Sequence, residues 1–93
     1  MRRYPRMKVY VIHCTEKGRI PRLTPEQAQS LKEALGKALA AIPGVRYNGT
    51  MYEPQTGIGV CDWDAPSPQT VEDILRQLGI PYDAVVAVQP LVL

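Results

Sequence analysis

Apolar residues follow two different spacings along this chain. Short runs rich in β-branched and aromatic residues predict strands, and longer stretches with an apolar residue every three or four positions predict helices. The predicted strands cover residues 8–14, 45–53, 58–63 and 84–92. One helix lies between the first two strands and another between the last two, so the expected order is β-α-β-β-α-β.

Both predicted helices have clear start and stop signals. Thr24-Pro25-Glu26-Gln27 offers a capping threonine, a proline at the first helical position and a glutamine where a capping box requires one. Ser67 and Pro68 give the second helix a similar start. Pro43-Gly44 and Gly79 end the two helices.

This order of elements predicts an α+β, ferredoxin-like fold. Right-handed crossovers around a central hairpin give a four-stranded antiparallel sheet with strand order 4-1-3-2 and both helices on one face. The other face would be polar if it met water, but residues 9–12 and 85–88 are apolar without alternation. We therefore expect a homodimer packed sheet against sheet, a dimeric α/β-barrel-like assembly. Tight valine packing with small exposed patches is the alternative.

Sheet-on-sheet packing predicts a ligand cavity between the two subunits. Its candidate lining residues are aromatic side chains with polar tips: Tyr10, Tyr47, Tyr52, Tyr82 and Trp63. Tyr47 and Tyr52 have opposite parity along their strand, so only one of them faces the cavity unless a bulge intervenes. Ordinary core or rim packing is the alternative for each of these side chains.

Length and charge exclude several classes of protein. The 93 residues fit a single domain, expected over residues 8–93, preceded by a basic arm at residues 1–7 that we expect to be disordered. The first eight residues contain four of the eleven basic groups, so the folded body has no basic excess and a nucleic-acid partner is not expected. No apolar run is long enough to span a membrane. Two cysteines and no export signal favour a reducing cytoplasm.

His13, Cys14, Cys61 and Glu53 are the candidate metal ligands. His13 is the only histidine. It can share a face of the predicted sheet with Cys61, whereas Cys14 points to the opposite face. Antiparallel pairing places Cys61 opposite residue 10 or 11, so a Cys14–Cys61 disulfide is not expected. Glu53, Asp62 or groups from a partner subunit would complete a metal shell. A structural role for a lone strand histidine is the alternative.

Two carboxylates, Asp62 and Asp64, lie on one strand face and fit an acid–base pair or a site for a hard metal. Bracing of the following corner by Asp64 and solvation of Asp62 are the alternatives. The sequence contains no Walker motif, nucleophile elbow or Cys-x-x-Cys pair.

The segment Gly59-Val60-Cys61-Asp62-Trp63-Asp64-Ala65-Pro66-Ser67 is similar to a bacterial family of small ferredoxin-like proteins of unknown function, some of them described as nickel-binding. Leu23-Thr24-Pro25-Glu26 and the strand near residues 83–88 are also similar, and the resemblance spans about residues 8–90. It implies a dimer of ferredoxin-like subunits, allows a nickel site, and matches His13 to a histidine near the end of the first strand.

Three functions remain open at this point. We expect a non-catalytic, dimeric protein that binds a metal or a small ligand. The alternative is a cofactor-free monooxygenase or isomerase of the dimeric α/β-barrel type, with His13 or Tyr10 transferring a proton inside an intersheet cavity. The third is a scaffold without a ligand.

Overall fold

The computed structural model describes residues 6–14 and 23–91. Its elements follow the expected β-α-β-β-α-β order: β1 (Met7–His13), α1 (Pro25–Ala41), β2 (Arg46–Tyr52), β3 (Gly59–Ala65), α2 (Pro68–Leu78) and β4 (Ala84–Val88). β3 runs two residues further than expected. β4 ends before Pro90, which has no N–H to donate to a strand ladder.

Parts of two sequence predictions fall outside the described residues. The expected basic arm at residues 1–7 lies outside them except for Arg6 and Met7, and Met7 is the first residue of β1. Of the connection expected at residues 15–23, only residue 23 is among the described residues.

The four strands form one antiparallel sheet in the order β2-β3-β1-β4. This is the predicted order 4-1-3-2, read from the opposite edge. Val11 in β1 pairs with Cys61 in β3 on one side and with Val85 in β4 on the other. The expected position of Cys61, opposite residue 10 or 11, is therefore confirmed.

Both helices begin with the caps that the sequence predicts. The Thr24 side chain accepts a hydrogen bond from the Gln27 amide, and the Gln27 side chain accepts one from the Thr24 amide, which completes a capping box. The Ser67 hydroxyl accepts from the Thr70 amide. Gly79 ends α2 with φ at 69°, in the left-handed region that favours glycine.

The core lies between the helices and one face of the sheet, and the two helices contribute to it unequally. Helix α2 buries Val71, Ile74 and Leu75, whereas α1 buries Ala38 alone. The strands supply the rest of the buried apolar cluster: Val9, Val11, Cys61, Trp63 and Ala65. Helix α1 is thus held less firmly than α2.

A β-bulge in β2 changes which side chains face the core. The pairing moves from Tyr47↔Trp63 directly to Gly49↔Asp62, so Asn48 is the extra residue. Gly49 has a φ of 123°, which a residue with a side chain rarely adopts. The bulge reverses the alternation and places Tyr47, Thr50 and Tyr52 on the same side of the sheet.

The open face of the sheet, which turns away from the helices, is apolar at one end only. Paired positions there form an apolar row: Met51, Val60, Ile12 and Ala84. At the other end, Lys8 lies 2.8 Å from Asp62 and 3.3 Å from Asp64. The two carboxylates therefore make ion pairs, and the face is less uniformly apolar than its strand sequences suggest.

No helix in the described part of the chain is long and apolar enough to cross a membrane.

Candidate functional site

His13 ends β1 and is 1% exposed. Its Nδ1 lies 2.9 Å from the carbonyl oxygen of Pro81, in the loop after α2. A carbonyl can only accept a hydrogen bond, so Nδ1 carries the hydrogen. In the neutral imidazole this leaves Nε2 as an acceptor, and Nε2 lies 3.3 Å from the sulfur of Cys61.

Cys61, in the middle of β3, joins His13 to a chain of polar groups that crosses three strands. Its Sγ lies 3.0 Å from the Thr50 hydroxyl on β2, which in turn contacts the Tyr47 hydroxyl. The Tyr47 hydroxyl can donate to Thr50, Thr50 to the sulfur, and the thiol to His13 Nε2. Every donor in this chain then has an acceptor.

Burial raises the pKa of the Cys61 thiol, and the hydrogen bond from Thr50 opposes this rise. A low-dielectric surrounding disfavours the thiolate because its charge loses hydration. The protonated thiol is therefore the favoured form, which agrees with a thiol that donates to His13 Nε2.

This polar chain borders a cavity of about 270 Å³ on the helix side of the sheet. The sheet contributes His13, Tyr47, Thr50, Cys61 and Trp63 to its lining. Between sheet and helices, this cavity is distinct from the intersheet cavity expected for a dimer. Of the aromatic residues predicted to line a cavity, Tyr47 and Trp63 border this one.

The opposite wall of the cavity is apolar. Leu31 and Leu35 of α1 lie there with Leu75 of α2 and Ile80, which follows α2. Leu23 also contributes and is 40% exposed, so the cavity reaches the surface near the start of α1. Among the described residues, no Asp, Glu, Lys or Arg lines the cavity.

Trp63 carries a buried polar group that lacks a hydrogen-bond partner. The residue is 2% exposed, and its ring lies 5.0 Å from that of Tyr47, centroid to centroid, at an angle of 52°. Among the residues that the structure describes, its indole Nε1 is the one buried side-chain nitrogen or oxygen without a hydrogen-bond partner. An unpaired buried donor carries a desolvation cost.

The other predicted site residues lie elsewhere. Cys14 is exposed, and its amide donates to the Asp83 carboxylate at 2.7 Å. Tyr10 lies on the open face, opposite His13, so these two candidate proton-transfer groups do not share a site. Tyr52 is 64% exposed and does not border the cavity. Both cysteines are free thiols.

The carboxylates have partners of their own. Glu53 accepts hydrogen bonds from the Gln55 amide and from the amide and hydroxyl of Thr56. These bonds lower the pKa of Glu53, and the bond from the Thr56 hydroxyl has the largest effect. Asp62 and Asp64 both accept from Asn48, besides their ion pairs with Lys8.

Within residues 6–14 and 23–91, no group of three or more His, Cys, Asp or Glu side chains could hold a metal ion. His13 and Cys61 nevertheless fit as one pair of ligands. Two neighbouring ligands of one metal, with bonds of roughly 2.0–2.1 Å to nitrogen and 2.3 Å to sulfur, are separated by roughly 3.1–3.6 Å for angles of about 90–110° at the metal. The observed distance from Nε2 to Sγ is 3.3 Å.

Sequence reasoning found His13, Cys61, Tyr47 and Trp63, but it missed the groups that orient them. Thr50 reaches Cys61 only because of the bulge, and the Asn48-Gly49 dipeptide inside a strand was the available signal. The Pro81 carbonyl is a backbone group that no side-chain motif marks.

Comparisons with known proteins agree with this fold. Residues 10–88 match a family described as "Nickel responsive protein SCO4226-like". The crystal structure of SCO4226 from Streptomyces coelicolor A3(2) superposes with a TM-score of 0.63 at 19% sequence identity, covering 91% of this chain and 99% of that chain. A search of curated proteins found no match. Because the family match spans most of the chain, the protein belongs to the SCO4226-like family of nickel-responsive proteins.

Proposed function

We propose that this protein binds a divalent transition metal such as nickel, without catalysis, through the His13–Cys61 pair. The observation that carries the proposal is the 3.3 Å contact between the imidazole Nε2 and the thiol sulfur at the edge of a cavity. Imidazole nitrogen and cysteine sulfur are both transition-metal ligands, and site geometry and ligand type select the metal. The family description, nickel responsive, points to the same metal.

The surroundings of His13 support this role. Metal-binding histidines usually donate their second ring N–H to a carbonyl or carboxylate, which fixes the tautomer and the orientation of the ring. The Pro81 carbonyl accepts from His13 Nδ1 in this way, and Nε2 points at the sulfur. Each chain would hold its own metal, bound through one nitrogen and one sulfur of that chain. The metal would act as a sensed or stored ion.

Two protein ligands leave most of a nickel coordination shell to other donors. Water or a small molecule could reach the pair through the cavity, whose lining includes both His13 and Cys61. The Thr50 hydroxyl oxygen lies 3.0 Å from the sulfur and could supply a further oxygen ligand. Incomplete ligation favours reversible binding, which suits a protein that responds to changing nickel concentrations.

The proposal includes a homodimer formed through the apolar end of the open face. Ile12 and Val60 pair there, and Met51 beside them is 74% exposed. Val86 on the neighbouring β4 is 40% exposed. A second copy of the chain, related by a two-fold axis, would cover the same residues on both subunits. This dimer would leave the cavity, on the helix side, free in each subunit.

Equilibrium dialysis against NiCl2, with metal analysis of protein that carries no histidine tag, tests the metal proposal. The wild-type chain is expected to bind close to one nickel per chain. Cys61→Ser keeps the size and the hydrogen-bonding capacity of the side chain but removes the sulfur, so nickel affinity should fall at least about tenfold. His13→Gln should cause a similar loss.

Cys14→Ser is the matched control, because Cys14 is a free and exposed thiol outside the cavity. It should retain wild-type nickel content, as should Glu53→Gln. Full nickel binding by Cys61→Ser, or a loss confined to Cys14→Ser, would overturn the assignment. Circular dichroism of each variant separates loss of the ligand from loss of the fold.

A further inference from the structure

We propose that Tyr82 is a positioning residue for His13: it holds the Pro81 carbonyl against the imidazole and so keeps Nε2 unprotonated and directed at the metal position. The inference rests on the proposed metal site and adds a part to it that neither metal ligand supplies. It is carried by the contacts that fix the loop between α2 and β4, residues 79–83.

The loop between α2 and β4 is attached at both of its ends. The amides of Gly79 and Ile80 donate to carbonyls in the last turn of α2, at 3.1 and 2.9 Å. At the other end, the Asp83 amide donates to the Ile12 carbonyl of β1 at 2.8 Å. Pro81 lies between these attachments, and its ring fixes its φ. The backbone around the Pro81 carbonyl therefore has little freedom to move.

Tyr82 adds the attachment nearest to that carbonyl. The Pro81 carbonyl and the Tyr82 amide nitrogen belong to one planar peptide unit, so the carbonyl cannot rotate without moving Tyr82. The Tyr82 hydroxyl donates to Glu72 Oε1 at 2.8 Å, and Arg76 donates to the same oxygen at 2.6 Å. The side chain of Tyr82 thus holds the peptide unit whose oxygen lies 2.9 Å from His13 Nδ1.

The position of this oxygen decides which ring nitrogen of His13 is available to a metal. While the Pro81 carbonyl accepts from Nδ1, the neutral ring keeps its hydrogen there and leaves Nε2 unprotonated, 3.3 Å from the Cys61 sulfur. Without that acceptor, the hydrogen can occupy Nε2 instead, and a protonated Nε2 cannot bind a metal.

The expected size of the effect follows from the distance of Tyr82 from the metal position. Loss of a group that directly orients a metal ligand typically lowers metal affinity about 10- to 100-fold. Tyr82 acts through the Pro81 carbonyl, one step further away. We therefore expect its hydroxyl to contribute about threefold to tenfold in nickel affinity.

The tautomer of His13 in metal-free protein tests the inference most sharply. His13 is the only histidine, so its two ring nitrogens give one pair of ¹⁵N signals in protein without a tag. At about pH 8, above the free imidazole pKa of about 6.5, the wild type should show one protonated and one unprotonated nitrogen. In Tyr82→Phe, exchange with the second tautomer should move the two signals toward each other.

Nickel affinity, measured by equilibrium dialysis, should fall about threefold to tenfold in Tyr82→Phe. This variant keeps the ring, and Glu72 keeps its ion pair with Arg76, so the fold should persist. Glu72→Gln retains an oxygen that can accept from the Tyr82 hydroxyl and should preserve both the tautomer and the affinity.

Two control variants separate positioning from a change in stability. Tyr52→Phe removes a hydroxyl from a tyrosine that is 64% exposed. Gln69→Ala removes a hydrogen bond to Asp73 within α2, so it weakens the same helix that holds Tyr82. Neither control should change the His13 signals or the nickel affinity.

Unchanged His13 signals in Tyr82→Phe, an unchanged nickel affinity of that variant, or an equal loss in Gln69→Ala would each overturn the inference. These results leave the nickel binding of the wild type and its loss in Cys61→Ser untouched. Failure of the metal site itself would appear in those two proteins instead, so the two proposals fail separately.

Discussion

The two cysteines of this chain lie in different surroundings: Cys61 is buried and Cys14 is exposed. On the helix side, Cys61 lies in the core and contacts His13 and Thr50. Cys14 follows the end of β1, is exposed, and contacts the Asp83 carboxylate. Candidate chemistry therefore lies on the buried face, where several fixed partners orient the Cys61 side chain.

Thiol reactivity gives the largest expected difference between the two cysteines. A bulky maleimide should modify Cys14 at least about 100-fold faster than Cys61, because modification of a buried thiol requires local opening of the structure. Peptide mass spectrometry after timed labelling measures both rates in one sample. Contact with Asp83 raises the pKa of Cys14, and burial raises that of Cys61, so thiol ionisation does not by itself favour one site.

Comparable labelling rates would contradict the core position of Cys61. The Cys14→Ser variant is the control, because any fast labelling that remains must come from Cys61. Labelling in denaturant, where both thiols are accessible, should remove the difference.

A charge on the open face tests the role proposed for that face. Ile12→Arg places a cation in the apolar row beside Val60, and burial of an unpaired charge in an interface is costly. Self-association should weaken at least about tenfold, and sedimentation should find a species near the chain mass of 10.3 kDa.

Ala40→Arg provides a matched charge on an exposed position of α1. It should leave association unchanged. A wild-type chain that sediments as a monomer at micromolar concentration, or an Ile12→Arg protein that stays dimeric, would exclude this interface. Nickel affinity per chain should survive Ile12→Arg if His13 and Cys61 are the only protein ligands.

The ion pairs at the charged end of the open face give the smallest expected effect, a pH-dependent contribution to the free energy of unfolding. The hydrogen bond from Asn48 and the ion pair with Lys8 lower the pKa of Asp64 in the folded chain. Its stabilising contribution is therefore complete above the pKa of an unfolded aspartate, about 3.9, and is lost as the pH falls through the lower folded-state value. Because the site is partly exposed, the contribution is below about 1 kcal/mol.

Urea unfolding at several pH values measures this contribution. Asp64→Asn should unfold at a lower urea concentration than the wild type near neutral pH, and the difference should shrink as the pH falls through the lowered folded-state pKa of Asp64. The exposed Asp73→Asn is the control. A difference that stays constant down to the lowest pH would mean that the charge of Asp64 is not what stabilises the fold.

Sequence patterns predicted the fold well because each local signal agreed with the others. Thr24 with Gln27, and Ser67 with Thr70, form the caps that their spacing indicated. Antiparallel pairing also placed Cys61 opposite Val11, as expected. Local rules sufficed there because capping and strand pairing depend on residues that are close in sequence or related by simple alternation.

The candidate site was less predictable because it depends on irregular and backbone features. Alternation alone would have separated Tyr47 from Tyr52, and the bulge at Asn48 placed them on one face. Helix α1 buries few side chains and leaves room for the cavity. The sequence of α1 does not predict this, because its apolar residues follow a complete helical spacing. The unpaired N–H of Trp63 also appears only once side chains are packed in three dimensions.

X-ray absorption at the nickel edge tests most directly whether the buried His13–Cys61 pair is the metal site. The sample is nickel-loaded Cys14→Ser protein without a histidine tag, so Cys61 is its only sulfur from a cysteine. Binding by this pair predicts one sulfur ligand at about 2.3 Å together with imidazole nitrogen, near the distances known for thiolate and histidine ligands of zinc. A shell made only of oxygen and nitrogen would contradict it.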